Sequence, residues 1–141
     1  MNLNKKIGKI MSTDLTTVRE DTPVSKLKDL LDRRLMHHIL VENKVGELLG
    51  IISTVDLART THFPFREEQL LAKHIMTVSP FTVTKDTSIK KVIDYFLDNR
   101  FRVIPVLDEK DILIGVVTPY DIMSMVMNNF EKEELKAGKI N

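Results

Sequence analysis

The chain has no cysteine among its 141 residues. Disulfides, thiol nucleophiles and thiolate zinc sites are therefore excluded, and we expect a reducing compartment, the cytoplasm. The chain also lacks an excess of one charge, since 21 basic residues stand against 20 acidic ones, which predicts no nucleic-acid partner. No apolar run is long enough to cross a membrane or to serve as a signal peptide, so we expect neither insertion nor export.

Signatures of catalysis are missing as well. There is no glycine-rich phosphate loop, no nucleophile elbow and no pair of carboxylates that the sequence places together. The histidines lack the i, i+4 spacing and the acidic neighbour of a metalloprotease motif. We therefore expect no enzyme activity, no metal site and no required cofactor. The four histidines are His37, His38, His62 and His74.

What the chain does contain is an internal duplication. Shifted by 65 positions, residues 10–58 align without a gap to residues 75–123, and 13 of the 49 pairs are identical. Unrelated sequences would share about three. The duplication divides the chain into a first unit, 1–60, a linker, 61–72, a second unit, 73–127, and a polar tail, 128–141. Since one copy buries little surface alone, we expect the two to pack face to face, with pseudo-twofold symmetry and two related clefts.

Each copy has the pattern strand, helix, strand, strand, helix, which predicts a mixed α/β (α+β) fold. Thr22-Pro23 and Thr87 are the expected helix caps, with Pro23 in the first helical turn. The tail beyond residue 127 is either a helical extension or a disordered end. Expected opening strands are 15–18 and 81–84, expected hairpins 38–42 with 48–52 and 103–107 with 113–117, and expected helix faces Val24, Leu27, Leu31, Leu35 and Ile89, Val92, Ile93, Phe96, Leu97.

The most specific strings run from Gly50 to Asp56 and from Gly115 to Asp121. Both read glycine, two β-branched residues, a hydroxyl, two variable residues and aspartate, at the point where a strand passes into a helix. A hydroxyl followed three residues later by a carboxylate is a capping box. The same geometry can meet a ligand, because first-turn amides suit a phosphate and the aspartate can accept hydrogen bonds from sugar hydroxyls. The two interpretations do not exclude each other.

Taken together, these strings resemble a tandem pair of cystathionine-β-synthase (CBS) domains, called a Bateman module. Ile10-Met11 and Ile75-Met76, the strands 39–41 and 104–106, and the two glycine-to-aspartate motifs carry the resemblance, which covers nearly the whole chain. It implies a stand-alone regulatory module that binds adenosyl ligands, chiefly AMP, ADP or ATP, in clefts that combine one unit's motif with residues of the other unit.

Carried over by position, the resemblance assigns two groups of ligand-binding residues. The basic side chains before the second strand, His37, His38 and Arg102, are expected near the phosphates. Arg102 suits a phosphate better because it is permanently charged and forked. One cleft would combine Val116, Thr118 and Asp121 with Thr16, Met36, His37 and His38; its twin would combine Ile51, Ser53 and Asp56 with Phe81, Phe101, Arg102 and Val103.

The twin cleft, with two phenylalanines and Arg102, is expected to bind the nucleotide more tightly. The resemblance also implies a homodimer and an unidentified regulated protein. The apolar final helix around Met123 and Val126 supports self-association. Three alternatives remain open: a structural or dimerisation module with empty clefts, a binder of S-adenosylmethionine, and a binder of dinucleotides.

Overall fold

A computed structural model describes residues 1–34, 37–62 and 69–138, and the predictions for Leu35 and Met36 lie outside these ranges. The chain forms mixed α and β structure in two sheets, as the repeat pattern predicts. Short 3₁₀ turns occur at Ile7–Lys9 and Thr60–His62. In chain order the elements are β1 (Thr17–Val18), α1 (Val24–Arg34), β2 (His38–Glu42), β3 (Leu48–Ser53), α2 (Thr54–Arg59), α3 (Ala72–Ile75), β4 (Thr77–Val78), β5 (Val83–Thr84), α4 (Ile89–Asn99), β6 (Ile104–Leu107), β7 (Leu113–Val117) and α5 (Pro119–Lys136).

The chain folds into two compact units. Unit one comprises Asp14–Phe81 and Glu109–Leu113, and unit two comprises Met1–Thr13, Thr82–Asp108 and the chain from Ile114 onward. These units differ from the two repeat copies, because the first residues of the chain join unit two.

Unit one contains a sheet in the order β1-β2-β3-β4. β1 runs parallel to β2, whereas the β2–β3 and β3–β4 pairs are antiparallel, as the predicted hairpin requires. Helix α1 covers the sheet with the apolar face that its periodicity predicts. The buried core contains Val24, Leu27, Leu31, Ile39, Val41, Ile52, Leu57, Leu70 and Ala72.

Unit two contains a three-stranded sheet in the order β5-β6-β7, with β5 parallel to β6. Its buried core contains Ile7, Val83, Ile89, Val92, Ile104, Val106 and Val117. Leu97 was expected on the buried face of α4, but it is 75% exposed. Phe96 in the same last turn packs against the core, so the apolar face of α4 ends there and Leu97 lies beside it in solvent.

The segment that begins each repeat copy packs in the other copy's unit. Ile7 is fully buried in unit two, and Ser12 bridges Val116 of β7 in an antiparallel pairing. In unit one, β4 pairs with β3, with Gly50 opposite Val78. The initial 3₁₀ turn, α3 and β4 were not predicted. Each is too short for a periodic signal, and its hydrogen-bond partners are remote in the chain.

The expected threonine caps are wrong by one residue. The Thr22 hydroxyl accepts from the Arg19 amide at 3.2 Å and that of Thr87 from the Thr84 amide at 3.3 Å, so both close the turn before the helix. Ser88 is the cap of α4, accepting from the Lys91 amide at 3.2 Å. Pro23 likewise precedes the first residue of α1. The opening strands are also shorter than predicted, at two residues each.

Helix α5 continues to Lys136, so the described part of the tail takes the helical alternative. Its second half carries several charged residues, and none of the helices in the described ranges has the length and apolar character needed to cross a membrane.

Candidate functional site

The two glycine-to-aspartate motifs form nearly superimposable capping boxes. In unit one, the Ser53 amide and hydroxyl donate to Oδ2 of Asp56 at 2.8 and 3.0 Å, and the Asp56 amide donates back to the hydroxyl at 3.3 Å. In unit two, the corresponding distances between Thr118 and Asp121 are 2.8, 3.1 and 3.3 Å. The capping-box prediction is therefore confirmed at both motifs.

Each motif aspartate has one carboxylate oxygen that the capping box does not use. Both bonds that the cap residue donates to the aspartate end on Oδ2, and within the described ranges no hydrogen bond reaches Oδ1 of Asp56 or Asp121. Both side chains are half-buried, so the carboxylate is held by the cap while its second oxygen can accept from a ligand. This arrangement suits a pair of hydroxyl donors.

The first-turn amides offer less to a ligand than the sequence predicts. The Thr54 amide already donates to the carbonyl of His37 at 3.2 Å, and Pro119 has no amide hydrogen. The aspartate amides donate to the cap hydroxyls. The prediction that first-turn amides and the cap hydroxyl can meet a phosphate or a ribose oxygen therefore depends on the amides that remain. Of the first three helical positions, only Val55 and Tyr120 have amides without a partner among the described residues.

The motif glycines serve strand packing. A Cβ at Gly50 would lie 2.6 Å from Sδ of Met76 and 2.8 Å from the carbonyl oxygen of Thr77. A Cβ at Gly115 would lie 2.6 Å from Sδ of Met11 and 2.9 Å from the carbonyl oxygen of Ser12. The glycines thus let the segments that begin the two repeat copies, which we name the exchanged leading segments, lie directly against β3 and β7. The recurrence of Met11 and Met76 at the repeat offset was the available signal for this contact.

The histidines at the start of β2 adjoin the unit-one motif. His38 pairs with Ser53 across β2 and β3, and the Thr16 carbonyl accepts from the Leu40 amide at 3.1 Å. Thr16 is buried, with 8% exposure, whereas His37 is exposed. The structure therefore brings the histidines beside the motif of their own unit.

The candidate residues of unit two lie on β7 and on the segment before β6. Arg102 is exposed and Val103 half-buried, just before β6, while Val116 in β7 pairs with Ser12. Phe101 packs partly buried against the core of unit two, which limits the aromatic surface it can offer. In unit one, Phe81 is 40% exposed and Ile51 pairs with Leu40 and Thr77. The two clefts, each drawing on both units, stay a prediction.

Two open depressions occur elsewhere. One, of about 530 Å³, lies beside the start of α4, and another, of about 460 Å³, lies beside the β2–β3 turn. Neither is lined by a candidate site residue. In the described part of the chain, no group of three or more His, Asp or Glu side chains could hold a metal ion.

Similar proteins were found by sequence and by structure. An uncharacterized protein of Methanocaldococcus jannaschii is 29% identical over 140 residues, 98% of this chain but 32% of that relative, so the chain spans about a third of it. The cytosolic domain of the Mg²⁺ channel MgtE, solved with ATP, is 27% identical with a TM-score of 0.74, over 86% of this chain and 49% of that one.

CBSX2 of Arabidopsis thaliana, solved with AMP, is 22% identical with a TM-score of 0.78, over 88% of this chain and 97% of that one. This likeness establishes the fold alone. The sequence model of the CBS domain matches residues 7–62 and again 72–128, which together cover most of the chain. The chain therefore belongs to the CBS-domain family, as a tandem CBS pair.

Proposed function

We propose that this CBS pair is a regulatory module that binds an adenine nucleotide of the AMP, ADP or ATP type in clefts between its two CBS repeat copies. The observation that carries the proposal is the pair of equivalent aspartates, Asp56 and Asp121, each fixed through Oδ2 with Oδ1 available. A ribose presents two adjacent hydroxyl donors. A positioned carboxylate is a strong acceptor for such donors.

The phosphates need a different partner, because most first-turn amides are paired or absent at both motifs. Arg102 and His37 stand before the second strand of their copies, and their exposed side chains supply donors for this purpose. His38, half-buried beside Ser53, is the third candidate. The proposal thus assigns the ribose to the motif aspartates and the phosphates to these three basic side chains.

Among the relatives, the MgtE cytosolic domain was solved with ATP at 27% identity to this chain, which supports a nucleotide over an empty module. S-Adenosylmethionine and dinucleotides also contain a ribose with adjacent hydroxyls. They are therefore the alternatives that a binding experiment must separate.

Self-association and a regulated partner belong to the same proposal. On α5, Tyr120, Met123, Met127 and Phe130 recur every three or four residues and are 71%, 60%, 55% and 54% exposed. Such a stripe on a helix is typical of a helix-to-helix contact. We expect a second copy of the chain to cover it, and nucleotide occupancy to act on an unidentified protein in the cytoplasm.

Calorimetric titration of the full chain with AMP, ADP, ATP and S-adenosylmethionine tests the proposal. Asp56→Asn and Asp121→Asn retain one acceptor for the cap but replace the other oxygen by an amide donor. Each is expected to weaken nucleotide binding by about 10-fold to 100-fold, the worth of a hydrogen bond to a charged group.

Ser88→Ala is the matched control, because Ser88 caps α4 and belongs to neither motif. It loses a cap hydroxyl, at a cost of about 1 kcal/mol in the free energy of unfolding, and should leave nucleotide binding unchanged. Heat with S-adenosylmethionine alone would assign the site to that alternative. If none of the four compounds gave heat at millimolar concentration, the structural module would be the correct function.

A further inference from the structure

The two copies differ at the first residue of the helix that follows each motif. In unit one this residue is Thr54, whose amide donates to the carbonyl of His37 at 3.2 Å and so ties the helix to the residue before β2. The repeat offset places Pro119 and Arg102 at the corresponding positions of unit two. Since proline has no amide hydrogen, the Arg102 carbonyl cannot receive the equivalent bond.

The sheets differ at the same place. In unit one the β2–β3 ladder extends to the pair His38 and Ser53. In unit two the corresponding residues, Val103 and Thr118, lie outside the strands, because β6 begins at Ile104 and β7 ends at Val117. At the end where the proline removes the donor, the strands of unit two therefore stop one residue short of the positions that pair in unit one.

The two residues before β6 lie between core-packed Phe101 on one side and fully buried Ile104 on the other. Helix α4 ends in Arg100, which adopts a left-handed conformation with φ of 54° and whose amide donates to the Phe96 carbonyl at 3.1 Å. Phe101 then packs against the core. Residues 102–103, which we name the Arg102 segment, follow that anchor and carry the exposed guanidinium.

We propose that Pro119 is a positioning residue for nucleotide binding. Because proline donates no hydrogen bond to the Arg102 carbonyl, the Arg102 segment has no such bond to α5 and can move onto the ligand's phosphates. This inference rests on the proposed function. A tied segment would have to break its bond to α5 before moving, which lowers the affinity for a phosphate-bearing ligand. His37, tied by Thr54, has no such freedom, so the two copies are unequal in their response to phosphate.

Pro119→Ala tests the proposal because alanine restores the amide hydrogen at the same helical position. In the ligand-free chain, backbone ¹⁵N order parameters are expected to be lower at Arg102 and Val103 than at His37 and His38, and to rise to the same level in Pro119→Ala. Thr54→Pro should lower the values at His37 and His38. Thr54→Ala, which retains the amide, is its control and should leave them unchanged.

The affinity for ATP should fall about fivefold in Pro119→Ala, the factor that corresponds to one net hydrogen bond, whereas the affinity for adenosine should not change. A merely structural proline would alter both affinities equally or neither, and either result would overturn the positioning role. Equal order parameters at the two positions in the native chain would refute the untied segment. If no adenine compound binds but the order parameters behave as expected, the proposed function fails together with the positioning role, while the untied segment stands.

Discussion

At the scale of single residues, the two motif glycines recur because the backbone packs closely there. The same motifs end in the aspartates that are proposed to bind the ligand. Gly50 and Gly115 lie under the Met76 and Met11 side chains and against the backbone that follows each methionine. A backbone carbonyl oxygen within 2.9 Å of an added Cβ cannot rotate away as a side chain can. The exchanged segment itself would have to shift.

Gly115→Ala is therefore expected to lower the free energy of unfolding by about 1–3 kcal/mol, the usual cost of overpacking. Chemical denaturation of the native chain and the variant measures this. In the Met11→Ala background, Gly115→Ala should cost less than in the native chain but still cost stability, since the Ser12 carbonyl stays 2.9 Å from the added atom. An unchanged midpoint for Gly115→Ala would show that the leading segment is not held against β7.

The candidate residues themselves could be predicted only in part. The hydroxyl and aspartate of each motif follow from local spacing, and the structure confirms their capping geometry. The status of the first-turn amides could not be predicted, because the bond from Thr54 to the His37 carbonyl joins positions 17 residues apart. His74 was not expected to bind a metal, and sequence spacing also gave no sign that it would accept a hydrogen bond from the Leu71 amide at 2.9 Å.

At the scale of elements, α5 combines a capped, motif-bearing start with an exposed apolar stripe. The helix reaches Lys136, beyond the match to the CBS-domain model at residue 128, and Phe130 extends the stripe into this region. Leu135 is similarly exposed, at 60%, but falls outside the three-and-four spacing of the stripe. The helix therefore offers both a test position and a control.

Met127→Glu is expected to convert a dimer into a monomer, because burying an unpaired carboxylate in an apolar contact is costly. Light scattering at tens of micromolar measures the mass. Leu135→Glu places the same charge on the same helix and should leave the dimer intact. Dissociation by both variants would point to a general effect of charge, and a native chain that is already monomeric would refute self-association through α5.

The elements were predictable where their periodicity is long. The apolar face of α1 and the antiparallel β2–β3 hairpin agree with the sequence pattern. Element boundaries were less accurate: Thr22 and Thr87 are good cap residues by type, yet their hydroxyls accept bonds from the preceding turn. Residue type alone does not decide between a cap and the turn one residue earlier, because both use the same hydroxyl.

At the scale of the whole molecule, the duplication is evident from the sequence, but the exchange of leading segments is not. The core of unit one includes Leu70 and Ala72, which lie in the predicted linker just before the second copy, and the amide of Val24 donates to the Leu70 carbonyl at 2.9 Å. Unit two in turn buries Ile7 completely. Alignment of the copies places each leading segment with its own repeat, whereas packing places it with the other.

This exchange predicts that a fragment cut by repeat copy folds worse than one cut by packing. Residues 14–81 and residues 1–68 have equal length, but only the first includes Leu70, Ala72 and β4. Loss of such buried side chains costs about 2–5 kcal/mol each for a residue the size of leucine, which is most of the stability of a small domain. The 14–81 fragment should therefore show a cooperative thermal transition by circular dichroism, and the 1–68 fragment should show none. A cooperative transition in the 1–68 fragment, with a midpoint equal to that of 14–81, would mean that each repeat copy folds without the leading segment of the other.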